Sequence, residues 1–485
     1  MGPWTSLELS SPCHGEDQGF KSPRARLFSQ EIRGSNPLAR AISTWYHAMP
    51  RPQKPPFNLG GFLIGLLNMK FGQRTFSALS VRNYRLYFIG QTISMSGTRM
   101  QFVCQSWLVL LITKSAIALG LTAALQWLPI LVFGAWGGVF VDRFSKRKIL
   151  CFTQLASGIL ALILGIVVIF GWVKIWMVYV LAVALGLVNV IDGPAGQTFV
   201  VEMVNKEKLS NAIALNSIET NIARVLGPAL AGFLIVYVGL GFCFLINAFS
   251  YVAVAIAILM MRANELYISP LVRTAKGQLQ EGLKYAKSSP VIRDVLLMGA
   301  IVGALACEFA VSLPLLAKFT FNGDAGTYAI LVSAMGAGSI IGGLVLAGRR
   351  KINTYVFSII TFLFGFFILL AAAMPTLFLT ILLLTVVGFF HIYFSSLGNI
   401  ILQLESDPKM RGRIMALWLV AYSGSVLIGA PIVGWICQYS GPRWGLAFGG
   451  FAAIIAAGIG LKNLKAAKIR PYAGKELLSY EEEIL

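Results

Sequence analysis

From residue 84 onward the chain alternates between long apolar runs and short polar joints. The runs lie near 85–113, 116–141, 148–170, 174–201, 209–237, 240–261, 294–317, 326–348, 354–373, 376–404, 413–437 and 443–461. Each reaches or exceeds the ~20 apolar residues that a helix needs to cross a bilayer. Backbone groups inside a bilayer must be satisfied within the segment, so runs of this kind fold as helices. The pattern predicts an all-α polytopic membrane protein with twelve transmembrane helices. Several runs overshoot the bilayer and carry polar residues, which marks them as more than lipid-facing spans.

Composition agrees. Of 485 residues, 57% are hydrophobic and 12% charged, against about 25% charged in soluble domains. The net charge of +20 raises nucleic acid as a partner, but its distribution argues against that. Alternate joints hold Arg143, Lys146, Arg147 and Lys148; Lys206 and Lys208; Arg273, Lys276, Lys284 and Lys287; Arg349, Arg350 and Lys351; and Lys409, Arg411 and Arg413. The intervening joints hold little beyond Lys114, Lys174, Lys318 and Arg443. Short loops rich in Lys and Arg stay in the cytoplasm. The expected placement is therefore a multi-pass protein of the plasma membrane with both termini cytoplasmic. The lipid bilayer accounts for the basic surplus, and nucleic acid is not called for.

The ends differ from the middle. Residues 1–75 are rich in Pro, Ser, Arg and Gly without apolar periodicity, which predicts a disordered or non-native extension. Phe57–Met69 is too short to span, and Glu8, Glu16, Asp17 and Glu31 weigh against an organellar transit peptide. Translation starting near Met69, or a dispensable tail, is the expectation. The cysteines fall inside apolar runs or, for Cys13, in this extension, with no CxxC spacing and no clustered histidine. Neither a metal site nor a disulfide framework follows. No nucleotide-cradling motif or extramembrane domain calls for a cofactor or for an enzyme.

The chain also repeats itself. GGVFVDRFSKRK, from Gly137, is echoed by GGLVLAGRRK, from Gly342. ALNSIETNIARVLGPALAG, from Ala214, is echoed at nearly the same offset by ALWLVAYSGSVLIGAPIVG, from Ala416. The predicted organisation is a six-helix half over 76–262, a cytoplasmic linker over 263–293, a second six-helix half over 294–463 and a cytoplasmic tail over 464–485. Within the linker, GQLQEGLKYAKSS reads as an amphipathic helix.

Transport requires polar groups inside the bilayer, where they are rare and usually face a bundle interior. In the first span Gln91, Ser94, Thr98, Gln101 and Gln105 recur at helical spacing, with Arg99 to one side of that stripe. The fourth contributes Asn189, Asp192 and Gln197. The fifth contributes Asn216, Glu219, Thr220 and Arg224. The seventh contributes Glu308 and Ser312, and the tenth His391, Ser395, Asn399 and Gln403. Glu219 with Arg224 reads either as an ion couple within one helix or as a substrate and proton site. Glu308, far from any loop, is the candidate proton carrier, since a carboxyl group withdrawn from water binds protons more readily. Trp107, Trp127, Phe309, Phe389, Phe390 and Phe394 are candidates to line an apolar cavity or to face lipid.

Twelve spans in two repeated halves, with G-x-x-x-D-R-x-x-[RK]-[RK] after the second, resemble the major facilitator superfamily from Thr75 to about Leu461. Gly138, Asp142, Arg143, Lys146 and Arg147 occupy that loop signature, with Ser145 where a glycine is usual. SVRNYRLYFIGQTIS, QSWLVLLIT, FVVEMV, NAIALNS, ARVLGPALAG and MRGRIMAL resemble a bacterial exporter branch of enterobactin-exporter and macrolide-efflux type. Gly227, Pro228 and Gly232 partly match the fifth-helix signature of antiporters. The resemblance implies a proton-coupled exporter of small amphiphilic compounds, drug- or siderophore-like, working as a monomer by alternating access. It also implies that Asp142 meets the start of the eleventh span, near Arg413, when the cytoplasmic side closes. The plainer role for the basic residues of that loop is orientation alone. A solute importer, a lipid flippase and a non-transporting scaffold are the alternatives. Gly196, standing where this branch often has a basic residue, weighs against proton coupling.

Overall fold

The computed structural model describes residues 76–267, 278–348, 354–408 and 410–466, all within the compact unit Gly72–Leu485. The expectations for residues 1–75 and for 467–485 lie outside the described residues. The first half contains α1 (Arg82–Thr113), α2 (Ala116–Arg143), α3 (Lys146–Ile169), α4 (Ile175–Met203), α5 (Lys206–Tyr237) and α6 (Leu240–Leu259). A linker helix, Gln278–Ser288, precedes α7 (Pro290–Thr320), α8 (Ala325–Ala347), α9 (Thr354–Ala373), α10 (Leu377–Glu405), α11 (Arg411–Ser440) and α12 (Pro442–Ala466). Eleven of these are long and apolar enough to cross a membrane. The twelfth, α1, has 32 residues and carries the polar stripe that lowers its hydropathy; it packs against α5 and α6 like any other span. The chain is a polytopic all-α membrane protein of two six-helix halves.

Local chemistry explains where the helices start. Asn205 accepts a hydrogen bond from the Lys208 N–H at the start of α5, and Asp324 accepts from the Thr327 N–H at the start of α8. Such caps satisfy backbone donors that a first turn leaves free. Between α5 and α6 the chain turns at Gly239, with φ of 99°, and between α11 and α12 it turns at Gly441, with φ of 94°. Only glycine takes that backbone region without strain.

The two turn glycines occupy equivalent places in the repeat, and the helices before them do too. A Cβ on Gly227 of α5 would collide with α1 at Arg99 and Ser96, and one on Gly429 of α11 would collide with α7 at Ala304. Gly232 abuts Ala329 of α8, and Gly434 abuts Ala116 of α2. Each half therefore lends one glycine-lined helix to its own first helix and to the other half. Small residues allow this close backbone approach in a bilayer, where packing rather than water drives association.

These approaches lie unevenly along the bundle. Between the halves, α2 meets α11 at Gly120 with Ala430 and at Gly434 with Ala116, and α5 meets α8 at Gly232 and at Gly336 beside Arg224. All of these fall from mid-helix to the end away from the basic loops. There the Ala116 N–H also donates to Gln438 Oε1 at 2.8 Å. One apolar core joins Met100–Leu110 of α1 to residues of the second half, such as Tyr328 and Val433. A second core, with Tyr84, Phe199, Met203, Leu215 and Ile258, stays inside the first half at the basic-loop end. At that end Trp136 and Phe140 of α2 and Leu419 and Val420 of α11 are exposed. Among the described residues, the close glycine contacts between the halves thus gather at the end away from the basic loops.

Candidate functional site

At the middle of the bundle two helices lose their regular winding. In α7 the segment Val302–Ala306 is π-helical and the chain breaks at Cys307 and Glu308 before resuming at Phe309. In α11 the segment Val420–Gly424 is π-helical. A Cβ on Gly303 would strike the Tyr422 carbonyl, so the two irregular segments face each other. Single π turns of this kind are frequent at functional sites.

The irregular segments bring a set of polar groups together. The Tyr422 hydroxyl lies 2.9 Å from His391 Nε2 of α10 and 3.7 Å from Cys307 Sγ. The His391 ring stacks on Phe364 and meets Phe309 edge-on. Arg224 of α5 lies within electrostatic reach of Tyr422, His391 and Arg99 of α1. Arg224 is half-buried and Arg99 exposed, although both stand mid-span. Glu308, 4% exposed, has an Oε1 with no hydrogen-bond partner among the described residues.

The other sequence candidates are placed apart. Thr98 bonds the Tyr251 hydroxyl of α6 at 2.9 Å and donates back to Ser94 O at 2.9 Å. Gln105 is buried and lines a small cavity with Phe102, Thr122 and Ala310, near the end away from the basic loops. Asp192 of α4 accepts from Thr153 Oγ1 at 2.5 Å and Gln154 Nε2 at 3.1 Å, both on α3. Asn399 Oδ1 accepts from Gln403 Nε2, one turn along α10, and Gln91 is half-buried. Of the aromatic candidates, Trp107 and Phe394 belong to the packed core, where Trp107 stacks on Tyr328.

The ion couple suggested for α5 does not form: no salt bridge joins Glu219 to Arg224. Five residues along a helix turn the side chains apart by about 140°. Glu219 is 1% exposed, beside Tyr84 and Tyr87, with its Oε1 unpartnered. Arg99 is the residue that the stripe pattern passed over. Its signal was a lone cation in mid-span, on a neighbouring face of the same helix.

At the loop after α2, the surroundings of Gly138 and the side chain of Asp142 lie outside the described residues. Arg143 is exposed. Lys146 Nζ approaches Glu202 Oε1 at 3.1 Å, with side chains 11% and 6% exposed. That oxygen makes no directed hydrogen bond, so the attraction is Coulombic. Arg147 donates to the last carbonyls of α6, at Ile258 (3.0 Å) and Leu259 (2.8 Å), where a cation suits the helix's negative end. Arg413 is held by Glu281 of the linker helix at 2.8 Å, and the Tyr285 hydroxyl accepts from the Asp407 N–H at 3.1 Å. Gly227 and Gly232 make the helix contacts described above, and Pro228 lies within α5. No group of His, Cys, Asp and Glu among the described residues could hold a metal ion.

Two pseudo-equivalent six-helix halves around a polar interior are the architecture of a major facilitator transporter. Solved structures share the fold. A bacterial homologue of the human lysosomal transporter Spinster, in an inward-facing unoccupied conformation, aligns with a TM-score of 0.63 at 12% identity, over 79% of this chain and 97% of that one. A bacterial homologue of the iron transporter ferroportin, inward-facing, aligns with a TM-score of 0.60 at 16% identity, over 79% and 98%. The chain belongs to the major facilitator family described as transmembrane secretion effectors, which matches residues 73–479. It is 24% identical to the staphyloferrin A transporter of Staphylococcus aureus, over 68% of this chain and 82% of the relative. It is 22% identical to macrolide efflux protein A of Streptococcus pyogenes, over 73% and 89%. The enterobactin exporter EntS of Citrobacter koseri is 23% identical, over 77% and 89%.

Proposed function

We propose that the protein is a secondary active exporter of small amphiphilic compounds, coupled to protons and working by alternating access as a monomer in the plasma membrane. The observation that carries this reading is where the halves touch: their closest approaches, at Gly120, Gly232 and Gly434, lie away from the end bearing Arg143, Lys146 and Arg147. By the positive-inside rule that end and both termini are cytoplasmic, so the cavity loads from the cytoplasm. The relatives named as exporters and efflux proteins support the outward direction. The interior contacts suit bulky compounds, with Phe309 and Phe364 beside the polar group Tyr422–His391.

Glu308 is the proposed proton carrier. It is buried at the break in α7, lacks a partner for Oε1, and adjoins Cys307 and, through it, Tyr422. A helix break there lets the carboxyl group turn toward or away from the interior as the halves rock. The test is accumulation of a compound panel in an efflux-deficient host, with and without a proton uncoupler, for the unchanged protein and for Glu308→Gln. Uncoupler-sensitive efflux that falls at least tenfold in Glu308→Gln is expected. Full active efflux by the variant removes Glu308 from the mechanism, and net uptake by the unchanged protein removes the exporter reading.

A further inference from the structure

We propose that the interior takes an anionic group of the substrate, a carboxylate or phosphate, between the guanidinium groups of Arg99 and Arg224. The inference rests on the transporter reading above and adds the charge of the cargo. Two cations at mid-span, within electrostatic reach of each other, repel one another. Charged side chains inside a bilayer are costly and normally pair. Neither arginine has a hydrogen bond or salt bridge among the described residues. The intramembrane carboxyl groups are engaged or turned elsewhere. Asp192 accepts from Thr153 and Gln154, Glu219 lies beside Tyr84 and Tyr87, and Glu308 is buried behind Cys307.

The internal repeat argues that packing does not require these cations. Gly227 meets α1 at Arg99, while its counterpart Gly429 meets α7 at Ala304. One turn before the glycines, α5 carries Arg224 and α11 carries Val426. The second half makes the same helix approach with alanine and valine. The charge is an addition to the first half. Both α1 and α5 begin at the basic-loop end, and helical side chains lean toward their own N-terminus. The guanidinium groups therefore lean toward the basic-loop end, the side from which an anion in the cytoplasm would enter. Guanidinium groups bind carboxylate and phosphate through paired N–H donors. The Tyr422 hydroxyl, within reach of Arg224, adds an uncharged donor from the other half when the His391 Nε2–H donates to it.

The experiment uses the purified full chain in detergent, read by thermal unfolding with millimolar citrate, sn-glycerol 3-phosphate, or choline chloride at matched ionic strength. At least one of the two organic anions is expected to raise the melting temperature saturably; which one does so separates carboxylate from phosphate recognition. Apparent affinity should fall at least tenfold in Arg99→Gln and in Arg224→Gln, and less in Arg224→Lys. Without anion, the glutamine variants should melt at or above the unchanged protein, since each removes a repulsion. The proposal is overturned if neither anion exceeds the choline chloride control, if stabilisation survives the double glutamine variant, or if the glutamine variants melt lower without anion. Anion binding without energised efflux would keep this site and remove the exporter reading. Efflux of uncharged or cationic compounds unchanged in both glutamine variants, without anion binding, would do the reverse.

Discussion

The halves meet on glycine at the end away from the basic loops, and Gly120→Ala tests that contact with a single carbon. A Cβ at Gly120 would meet the Ala430 carbonyl oxygen, the Ala430 carbonyl carbon at 2.8 Å and Pro431 Cα at 3.1 Å. All three are backbone atoms, so no rotamer change relieves the overlap. Ordinary contact begins near 3.4 Å, and moving the carbon from 2.8 to 3.4 Å means parting α2 from α11 by about 0.6 Å or more. Overpacking of this kind typically costs about 1–3 kcal/mol, and the nearby bond from Ala116 N–H to Gln438 Oε1 loosens with it. The collision exists only while this end is closed. An energy of about 1–3 kcal/mol therefore shifts the balance between closed and open ends by roughly 5–150-fold. Spin labels at Trp172 and Tyr439, exposed at this end on opposite halves, would report it by pulsed electron resonance, with native cysteines replaced. The distance distribution should move to longer values in Gly120→Ala. An unchanged distribution in a protein that unfolds at the unchanged temperature would refute the assignment of this contact as the seal.

Three further outcomes are expected. Glu202→Gln should strand the Lys146 ammonium and destabilise the protein by roughly 3 kcal/mol, while Lys146→Met with Glu202→Leu recovers most of the loss; simple additivity in a chemical-unfolding cycle would show that the 3.1 Å pair is idle. Asp324→Ala should cost about 0.5–2 kcal/mol as the cap of α8 is lost. The Thr327 N–H holds the Asp324 carboxyl below its ordinary value of 3.8, so this contribution is whole above that value and lost as pH falls through the lower folded value; a difference from the unchanged protein that disappears already at pH 6 would contradict it. Asp142→Asn should weaken closure of the basic-loop end by about 0.3–2 kcal/mol if the carboxylate meets the start of α11 there. A cysteine near Arg413 would then label faster from that side, and unchanged labelling with normal transport would leave Asp142 a solvated loop residue.

How much of this was legible in the chain follows from the range of each force. Apolar runs long enough for a bilayer declare their helices because every residue of the run is solvated by the same medium. The repeat was legible too, since Gly227 and Gly429, or Gly239 and Gly441, stand in one register. What those glycines touch was not. The loop signature marked Lys146 and Arg147 for a gate, yet in this conformation they reach Glu202 and the carbonyls ending α6. Spacing along one helix could gather Gln91, Thr98 and Gln105 into a stripe, and it grouped Glu219 with Arg224. It could not see that Arg99, off the stripe, would face Arg224 from a helix more than 100 residues away in sequence.

The amino-acid pattern alone thus determined the number, length and pairing of the spans, because transfer into a bilayer is summed residue by residue along a segment. Which end of the bundle closes, and which polar groups share its interior, was decided only by tertiary structure. Those outcomes depend on contacts between helices distant in sequence, such as Gly120 on Ala430 or Tyr422 beside His391. Both ends draw on the same spans, and a few kcal/mol of helix contact chooses between them.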